Sequence, residues 1–266
     1  MDRWQLRAPA GNKPGLFQGI DPQTGRLVAI KTLPDGLHGM ERQAAILRLR
    51  REAVIAGQFA HPNILPLLDH GESDGIPYLV FDWHAGETVR ELLRRAAPLA
   101  TAVTITMMGH LLAGIRQIHA KGYIHGDLKP ANLLVTTGNG ILITDFGAAR
   151  PAGLHSPVPG RVNGTHGYMP PEQIMGQVLD PRADLFAIGV ICHELLTGDK
   201  PFRAADAEGM TEAILTQEPE FGVALLPEVV TILKKALARR PRDRYASAEA
   251  FWNALDTLRS FASGNL

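Results

Sequence analysis

Apolar and polar positions along the chain follow two different periods. A β-branched apolar run at Leu27–Lys31 and a second apolar run at residues 77–81 have the composition of strands. Between them, residues 41–58 are rich in Arg, Leu and Ala and end near a glycine, which predicts a helix. Over Thr101–Ala120 the apolar residues recur every three or four positions, as in a long buried helix. Further helices are predicted at residues 88–95, 185–196, 232–238 and 246–261.

Composition and charge narrow the classes of protein. The 266 residues are 45% hydrophobic and 20% charged, which suffices for one large domain or two lobes. The formal net charge is zero, so we expect neither a nucleic-acid partner nor an anionic membrane surface. The single cysteine, Cys192, excludes an intrachain disulfide, and its apolar surroundings predict an inert buried thiol. No apolar stretch has the length of a membrane span, so a cytoplasmic protein is predicted, unless the chain is cut from a longer one.

The most informative stretch is HGDLKPAN at residues 125–132, followed by DFG at residues 145–147. Two apolar runs, residues 133–135 and 141–143, separate the blocks and are predicted as strands of a hairpin. The polar side chains therefore belong to loops that a rigid scaffold holds in place.

The residue types in these two blocks suit phosphoryl transfer. Asp127 can accept a hydroxyl proton and Lys129 can neutralise the transferred charge, while Asn132 and Asp145 offer hard oxygen ligands for Mg²⁺. A polar hairpin whose Asp and Asn bond their own backbone would explain one or two of these residues. It would not explain both blocks in this order.

The two blocks resemble those of the eukaryotic-type protein kinase family, in its bacterial-like Ser/Thr branch. The similarity runs from about Val28 to Arg244, whereas the first 20 residues match poorly. It implies one kinase domain over residues 1–266 with an α+β, bilobal fold: a small β-rich N-lobe with one main helix (residues 1–83) and a larger, mostly α-helical C-lobe (residues 84–266). It also implies ATP and Mg²⁺ as cofactors and a protein Ser or Thr hydroxyl as the acceptor.

Further catalytic residues follow from this resemblance. Lys31 would hold the α- and β-phosphates, and Glu52 would orient Lys31, with Glu41 as the second choice. Thr165 would bond the catalytic aspartate and lysine. Without the resemblance, Lys31 is also consistent with a solvated lysine at a strand end, and Glu52 with a surface partner of the helix arginines.

The resemblance also implies which residues bind the nucleotide. Phe81 would be the gatekeeper beside the adenine, and the backbone of Asp82 and His84 would bond the adenine edge. The full set of implied nucleotide-binding positions is Gly11, Leu16, Ala29, Lys31, Phe81, Asp82, His84, Leu134 and Asp145.

The glycine-rich loop departs from the family pattern. Counting back from the strand lysine, the three expected glycines fall on Pro9, Gly11 and Pro14, so only Gly11 remains. Because proline has no N–H, two backbone donors to phosphate are missing, and a distorted lid with weaker nucleotide binding is expected. Lys13 is interpreted either as a replacement for some of that charge or as a solvated loop lysine.

Gly126 is a second departure. Many protein kinases have an arginine there that pairs with a phosphorylated residue of the activation loop. Residues 148–164 contain one hydroxyl, on Ser156. Our hypothesis is that this chain needs no activating phosphate in that segment.

Two structural roles complete the resemblance. Glu172 is predicted to form a buried ion pair with Arg244, since an unpaired internal charge would be costly. Asp184 is predicted to anchor the backbone of the catalytic loop.

Two other functions stay open at this point. Small-molecule kinases of the aminoglycoside or choline type share the HGD sequence, but generally lack counterparts of Lys129, residues 165–172 and Asp184. A pseudokinase acting as a nucleotide-binding scaffold would explain the altered glycine loop, but not the retained base and metal ligands. A protein partner that completes the unusual lid and activates the enzyme is a further open possibility.

Overall fold

The computed structural model describes residues 4–10, 13–156, 166–222 and 225–259. The chain forms two compact units, the first made of Met1–Gly86 with the later segment Thr144–Ala148, and the second of Glu87–Ile143 with Ala149–Leu266. The lobes predicted from the sequence divide at residue 83. The structure groups residues 84–86 and the segment that carries Asp145 with the first unit as well.

The first unit is built on a five-stranded sheet. Its strands are β1 (Gln5–Pro9), β2 (Leu16–Ile20), β3 (Leu27–Lys31), β4 (Leu67–Ser73) and β5 (Ile76–Asp82). They lie in the order β1-β2-β3-β5-β4, and every neighbouring pair is antiparallel. The predicted strands β3 and β5 are confirmed.

Alternation along β3 separates the core from the site. Val28 and Ile30 are fully buried and cluster with Trp4 and Val80. Because successive side chains of a strand point to opposite faces, Ala29 and Lys31 lie on the other face of the sheet. The apolar residues that fix the strand therefore leave its lysine on the face opposite this core cluster.

Helix α1 (Gly39–Ala56) packs one stripe of side chains against the rest of the first unit. The buried positions of this stripe are Leu49, Glu52, Ala53, Ile55 and Ala56. Glu52 is the charged member of this set, so burial of the helix forces its carboxylate to find a partner.

The second unit is mainly helical. Its helices are α2 (Val89–Ala96), α3 (Thr101–Ala120), α4 (Pro171–Ile174), α5 (Arg182–Thr197), α6 (Ala207–Thr216), α7 (Pro227–Ala236) and α8 (Ala248–Asp256). Its short strands pair antiparallel as β6 (Tyr123–Ile124) with β9 (Arg150–Pro151) and as β7 (Leu133–Thr136) with β8 (Gly140–Ile143). The predicted hairpin and the predicted bounds of α3 are confirmed.

Helix α5 forms the centre of this unit. Apolar residues lie on all its sides from Leu185 to Ile191, as expected for a helix surrounded by protein. Cys192 lies on this helix and is 1% exposed, and burial raises the pKa of its thiol to about 12. The expectation of an inert buried cysteine is thereby confirmed.

The predicted pair of Glu172 and Arg244 forms inside the second unit. The guanidinium donates two bonds of 2.6 and 2.8 Å to the carboxylate, and further bonds to the carbonyls of Arg182, Ala238 and Arg239. Both side chains are at most 3% exposed. Full satisfaction of the guanidinium is what makes this buried pair tolerable.

Over the part of the chain that the structure describes, no helix is both long enough and apolar enough to cross a bilayer.

Removal of one partner of the buried pair tests its contribution to stability. We expect Glu172→Ala to lower the free energy of unfolding by about 3–5 kcal/mol, because it leaves the Arg244 cation buried and uncompensated. The measurement is urea denaturation followed by circular dichroism. Asp243→Ala is the control, since its pair with Arg240 is exposed and should contribute at most about 1 kcal/mol. Equal losses for the two variants would contradict the argument.

Candidate active site

Three charged side chains meet at the end of β3. The Lys31 ammonium lies 2.7 Å from both carboxylate oxygens of Glu52 and 2.8 Å from Oδ1 of Asp145. Glu52 is 1% exposed, and the side chains of Lys31 and Asp145 are about a quarter exposed, at 26% and 25%. The predicted pairing of Lys31 with Glu52 is confirmed, whereas Glu41 is exposed.

Opposite charges outweigh burial at two of these groups. Burial would lower the pKa of Lys31, but Asp145 and Glu52 raise it above its ordinary value. Burial would raise the pKa of Asp145, but Lys31 and Lys13 hold it well below its ordinary range. At Glu52 burial dominates, so its pKa is raised although Lys31 opposes the shift. Lys31 is therefore a cation and Asp145 an anion at neutral pH.

The backbone around Asp145 is unusual. Asp145 has φ of 68°, in the left-handed region that L-residues with a side chain rarely occupy. A Cβ at Gly147 would lie 3.2 Å from Oε2 of Glu52 and 3.3 Å from Oδ1 of Asp145, so a side chain there would crowd both carboxylates. Phe146 is buried and stacks on Phe59 at 5.3 Å between ring centroids. Strained backbone held by several contacts is typical of functional sites.

The side chains assigned to the nucleotide share one face of the sheet. Leu16 is paired directly with Lys31, and Ala29 with Phe81. Directly opposed residues of antiparallel strands project to the same face, so these four side chains form one surface. Their assignment to adenine and phosphate binding stays a prediction.

The remaining residues that were predicted to bind the nucleotide are divided between the two units. The Asp82 carboxylate pairs with Arg26 at 3.0 Å, so its side chain already has a partner within the first unit. His84 follows two residues later in the first unit. Leu134 belongs to the second unit, where it pairs with Leu142 in the β7–β8 hairpin. Their roles also stay predictions.

Residues 125–132 of the second unit, the loop predicted to be the catalytic loop, bring three predicted site residues together. Lys129 donates to Oδ2 of Asp127 at 2.7 Å, and the Asn132 amide donates to the same oxygen at 3.1 Å and to the Asp127 carbonyl at 3.0 Å. Asn132 is fully buried, and the Asp127 side chain is 23% exposed. Within the described part of the chain, no hydrogen bond is formed to Oδ1 of Asp127. The loop thus orients one oxygen through fixed donors.

A buried carboxylate anchors this loop. Asp184 accepts from the backbone N–H of His125 at 2.9 Å and of Gly126 at 3.0 Å, and its Oδ2 lies 2.8 Å from Nε2 of His119. Burial would raise the pKa of Asp184, but the bonds and charges of the two histidines and the backbone lower it. The predicted anchoring role of Asp184 is confirmed.

Gly126 occupies a position that suits glycine. Its φ of 74° lies in the left-handed region, where a residue without Cβ has no steric penalty. Its carbonyl accepts a bond of 2.9 Å from the side-chain amide of Gln173 in α4. Gln173 is not identifiable from the sequence, because a glutamine after a proline-rich turn carries no signal of a contact 47 residues away.

Residues 150–156, after the DFG sequence, are bound to the rest of the second unit by backbone hydrogen bonds. Besides the β6–β9 pair, the N–H of Ala152 donates to Gly122, that of Gly153 to Leu179, and that of Ser156 to Gln177, all at 2.8 to 2.9 Å. Ser156 is 6% exposed. These contacts hold residues 150–156 on the second unit without any added charge.

Two predicted site residues, Gly11 and Thr165, lie outside the described residues, so their roles stay predictions. Lys13 is described, and its ammonium lies 3.2 Å from Oδ2 of Asp145. The sequence suggested that Lys13 supplies charge to the site, but not that it contacts this carboxylate.

The chain matches a known family model and is similar in sequence to several known proteins. Residues 10–254 match the family model described as the protein kinase domain. The chain is 34% identical over 257 residues to the serine/threonine-protein kinase pkn3 of Myxococcus xanthus, an alignment that covers 91% of the chain. It is 32% identical over 259 residues to Pkn1 of the same organism, covering 94% of the chain, and 29% identical over 259 residues to PknL of Mycobacterium tuberculosis, covering 96%.

These relatives are longer proteins. The aligned regions account for 47% of pkn3, 37% of Pkn1 and 64% of PknL.

Hydrogen exchange tests the anchor of the catalytic loop. Asp184→Ala removes the acceptor of two backbone N–H groups, and each lost bond to a buried group costs about 1–3 kcal/mol. We therefore expect the amides of His125 and Gly126 to exchange roughly tenfold to a hundredfold faster, as measured by mass spectrometry of the peptide that contains them. Asp199→Ala, which removes an exposed carboxylate paired with Arg203, is the control and should leave this peptide unchanged. Unchanged exchange in Asp184→Ala would show that other contacts hold the loop.

Proposed function

The chain belongs to the protein kinase domain family, and from this premise we propose that it transfers the γ-phosphoryl group of ATP to a serine or threonine hydroxyl of a protein. The observation that carries the proposal is the contact of Lys31 with both Glu52 and Asp145. A purely structural role gives no reason to place a cation, its buried partner and a second carboxylate together on a strained backbone. The relatives named as serine/threonine-protein kinases support the choice of acceptor.

The residue types of Asp145 and Asn132 suit a magnesium ion bound together with a nucleotide. Mg²⁺ is usually held by one or two protein oxygen ligands plus substrate phosphates, rather than by a complete protein cage. The Asp145 carboxylate is held in its anionic form, and the Asn132 amide is fixed through its nitrogen, so we assign Asp145 and Asn132 as the metal ligands. When bound, the ion would neutralise charge on the β- and γ-phosphates.

Lys31 and Glu52 act on the phosphates in this proposal. Lys31 binds the α- and β-phosphates, and Glu52 keeps its ammonium in place through two short bonds. We assign the sheet face formed by Leu16, Ala29 and Phe81 to the adenine, and the backbone of Asp82 and His84 to its polar edge. Leu134 of the second unit is assigned as a further adenine contact. Gly11 belongs to the phosphate lid.

Asp127 and Lys129 act at the acceptor. Asp127 orients the hydroxyl and receives its proton, and the bonds from Lys129 and Asn132 to Oδ2 fix the direction of the carboxylate. Lys129 stabilises charge on the phosphoryl group as it moves. The role predicted for Thr165, as a hydrogen-bond partner of both residues, is retained in the proposal. Positioning and charge, rather than covalent chemistry, lower the barrier.

We further propose that the enzyme needs no phosphate in the segment after the DFG sequence. Gly126 offers no cation for such a phosphate, and backbone hydrogen bonds already hold residues 150–156. The one hydroxyl of residues 148–164, on Ser156, is buried and therefore a poor substrate for another kinase.

Turnover measurements test the proposed function. We expect the purified chain to transfer labelled phosphate from Mg-ATP to a generic Ser/Thr protein substrate. Asp127→Ala should lower kcat by about 10²–10⁴-fold, because the proton acceptor is lost, and Asp145→Ala should abolish magnesium-dependent nucleotide binding. Asp199→Ala, an exposed aspartate outside the site, is the control.

The same assay separates the alternative functions. Nucleotide binding without turnover would identify a pseudokinase scaffold. Turnover restricted to an amino alcohol or an aminoglycoside would identify a small-molecule kinase. Either result would replace the proposed function.

A serine substitution tests independence from activating phosphorylation. We expect Ser156→Ala to retain specific activity close to that of the wild type, and phosphatase treatment of the wild type to have equally little effect. The measurement is initial rate per mole of folded enzyme, with circular dichroism as the check on folding. A tenfold or greater loss in a folded variant would reject the idea.

A further inference from the structure

The turn between β1 and β2 brings a second lysine to the candidate metal ligand. Lys13 lies 3.2 Å from Oδ2 of Asp145, while Lys31 lies 2.8 Å from Oδ1. Each carboxylate oxygen of Asp145 therefore contacts one ammonium group. The Lys13 side chain is 47% exposed, compared with 26% for Lys31.

Local hydrogen bonds fix the backbone at Lys13. Its carbonyl accepts from the N–H of Leu16 at 3.2 Å, and the Gly15 carbonyl accepts from the N–H of Thr32 at 2.8 Å. Gly15 has φ of 74°, and a Cβ there would meet the Thr32 carbonyl at 2.5 Å, so only glycine fits this close approach. Pro14 restricts the intervening residue. The turn thus aims Lys13 from a defined position.

The chemistry of the turn favours a side-chain donor to phosphate. Pro9 and Pro14 occupy positions where the family pattern has glycines, and neither can offer a backbone N–H. An ammonium group has three donors and a full positive charge. One lysine can therefore form the hydrogen bonds that the two missing backbone N–H groups would have formed, and it adds a positive charge.

The charge balance points the same way. Lys31, Glu52 and Asp145 together carry one net negative charge, which would repel an anionic nucleotide, and Lys13 brings the cluster to neutrality. Lys31 is also bound to buried Glu52, whereas Lys13 is half exposed on a turn. Lys13 is therefore the lysine that can change partners without breaking a buried ion pair.

We propose that Lys13 is a phosphate-binding residue of the nucleotide site: it holds Asp145 while no nucleotide is present and exchanges this carboxylate for phosphate oxygens when Mg-ATP binds. This inference rests on the proposed function and names a residue that replaces the missing backbone donors of the lid. It also explains why the chain retains the remaining phosphate and metal ligands although the glycine pattern is largely lost.

Binding measurements on the full chain test this role. Isothermal titration calorimetry would compare ATP in the presence of Mg²⁺ with adenosine, which has no phosphates. We expect Lys13→Met to raise the Kd for ATP at least tenfold, since a charge-assisted bond is lost, and to leave the Kd for adenosine unchanged. Lys13→Arg should restore most of the ATP affinity. Arg7→Met, at an exposed position of β1 in the same hairpin, is the matched control and should bind both ligands like the wild type.

The possible outcomes are distinct. Unchanged ATP affinity in Lys13→Met would overturn the proposal, and tighter ATP binding would overturn it by showing that Lys13 competes with the metal. Equal weakening for adenosine and ATP would also reject it, because the effect would then not depend on phosphate. If the wild type binds ATP but turns over no protein substrate, the proposed function fails while the comparison of Kd values still decides the role of Lys13. Failure of the wild type to bind ATP would overturn both.

Discussion

The buried ion pair of Lys31 and Glu52 is the interaction on which the chemistry of the first unit depends. Glu52 lies on the buried stripe of α1, and a carboxylate so placed is costly without a cation. A rotation of α1 by one residue would turn this side chain by about 100° and break the pair. The orientation of the helix on the sheet therefore determines whether the lysine has a buried partner. Asp145, 114 residues further along the chain, contacts the same ammonium group.

The second unit also contains a buried carboxylate that needs partners, but its partners are different. There the buried carboxylate of Asp184 fixes backbone N–H groups instead of a lysine. In both units a deeply buried carboxylate holds another group in place, and the carboxylates assigned to the metal and the acceptor are more exposed. Glu52 and Asp184 are 1% and 2% exposed, while the side chains of Asp127 and Asp145 are 23% and 25% exposed. Burial provides rigidity, and partial exposure leaves the reacting groups accessible.

Local sequence patterns predicted the elements that have a clear apolar run or a clear helical period. The apolar runs of β3 and β5 and the period of α3 needed no long-range information. Strands β1 and β4 were not predicted. Strand β1 is short, ends in a proline and is exposed along its length, and β4 is largely polar, so neither forms an apolar run. Helix α7 begins at Pro227 rather than at residue 232, since proline at its first position was not recognised as a helix start.

The site residues also divide into those that a local motif identifies and those that only distant contacts identify. Residues within one motif were found, whereas the contacts of Lys13 with Asp145 and of Gln173 with Gly126 join distant parts of the chain and leave no periodic trace. With an arginine at position 126, a loop phosphate could stabilise the loop; with glycine, Asp184 and Gln173 do so, and both are present in every folded molecule. Folding of α5 and α4 therefore sets the geometry of this loop. Control of the proposed activity would therefore have to act on other groups, and in the first unit the half-exposed Lys13 is the one that we propose changes partners.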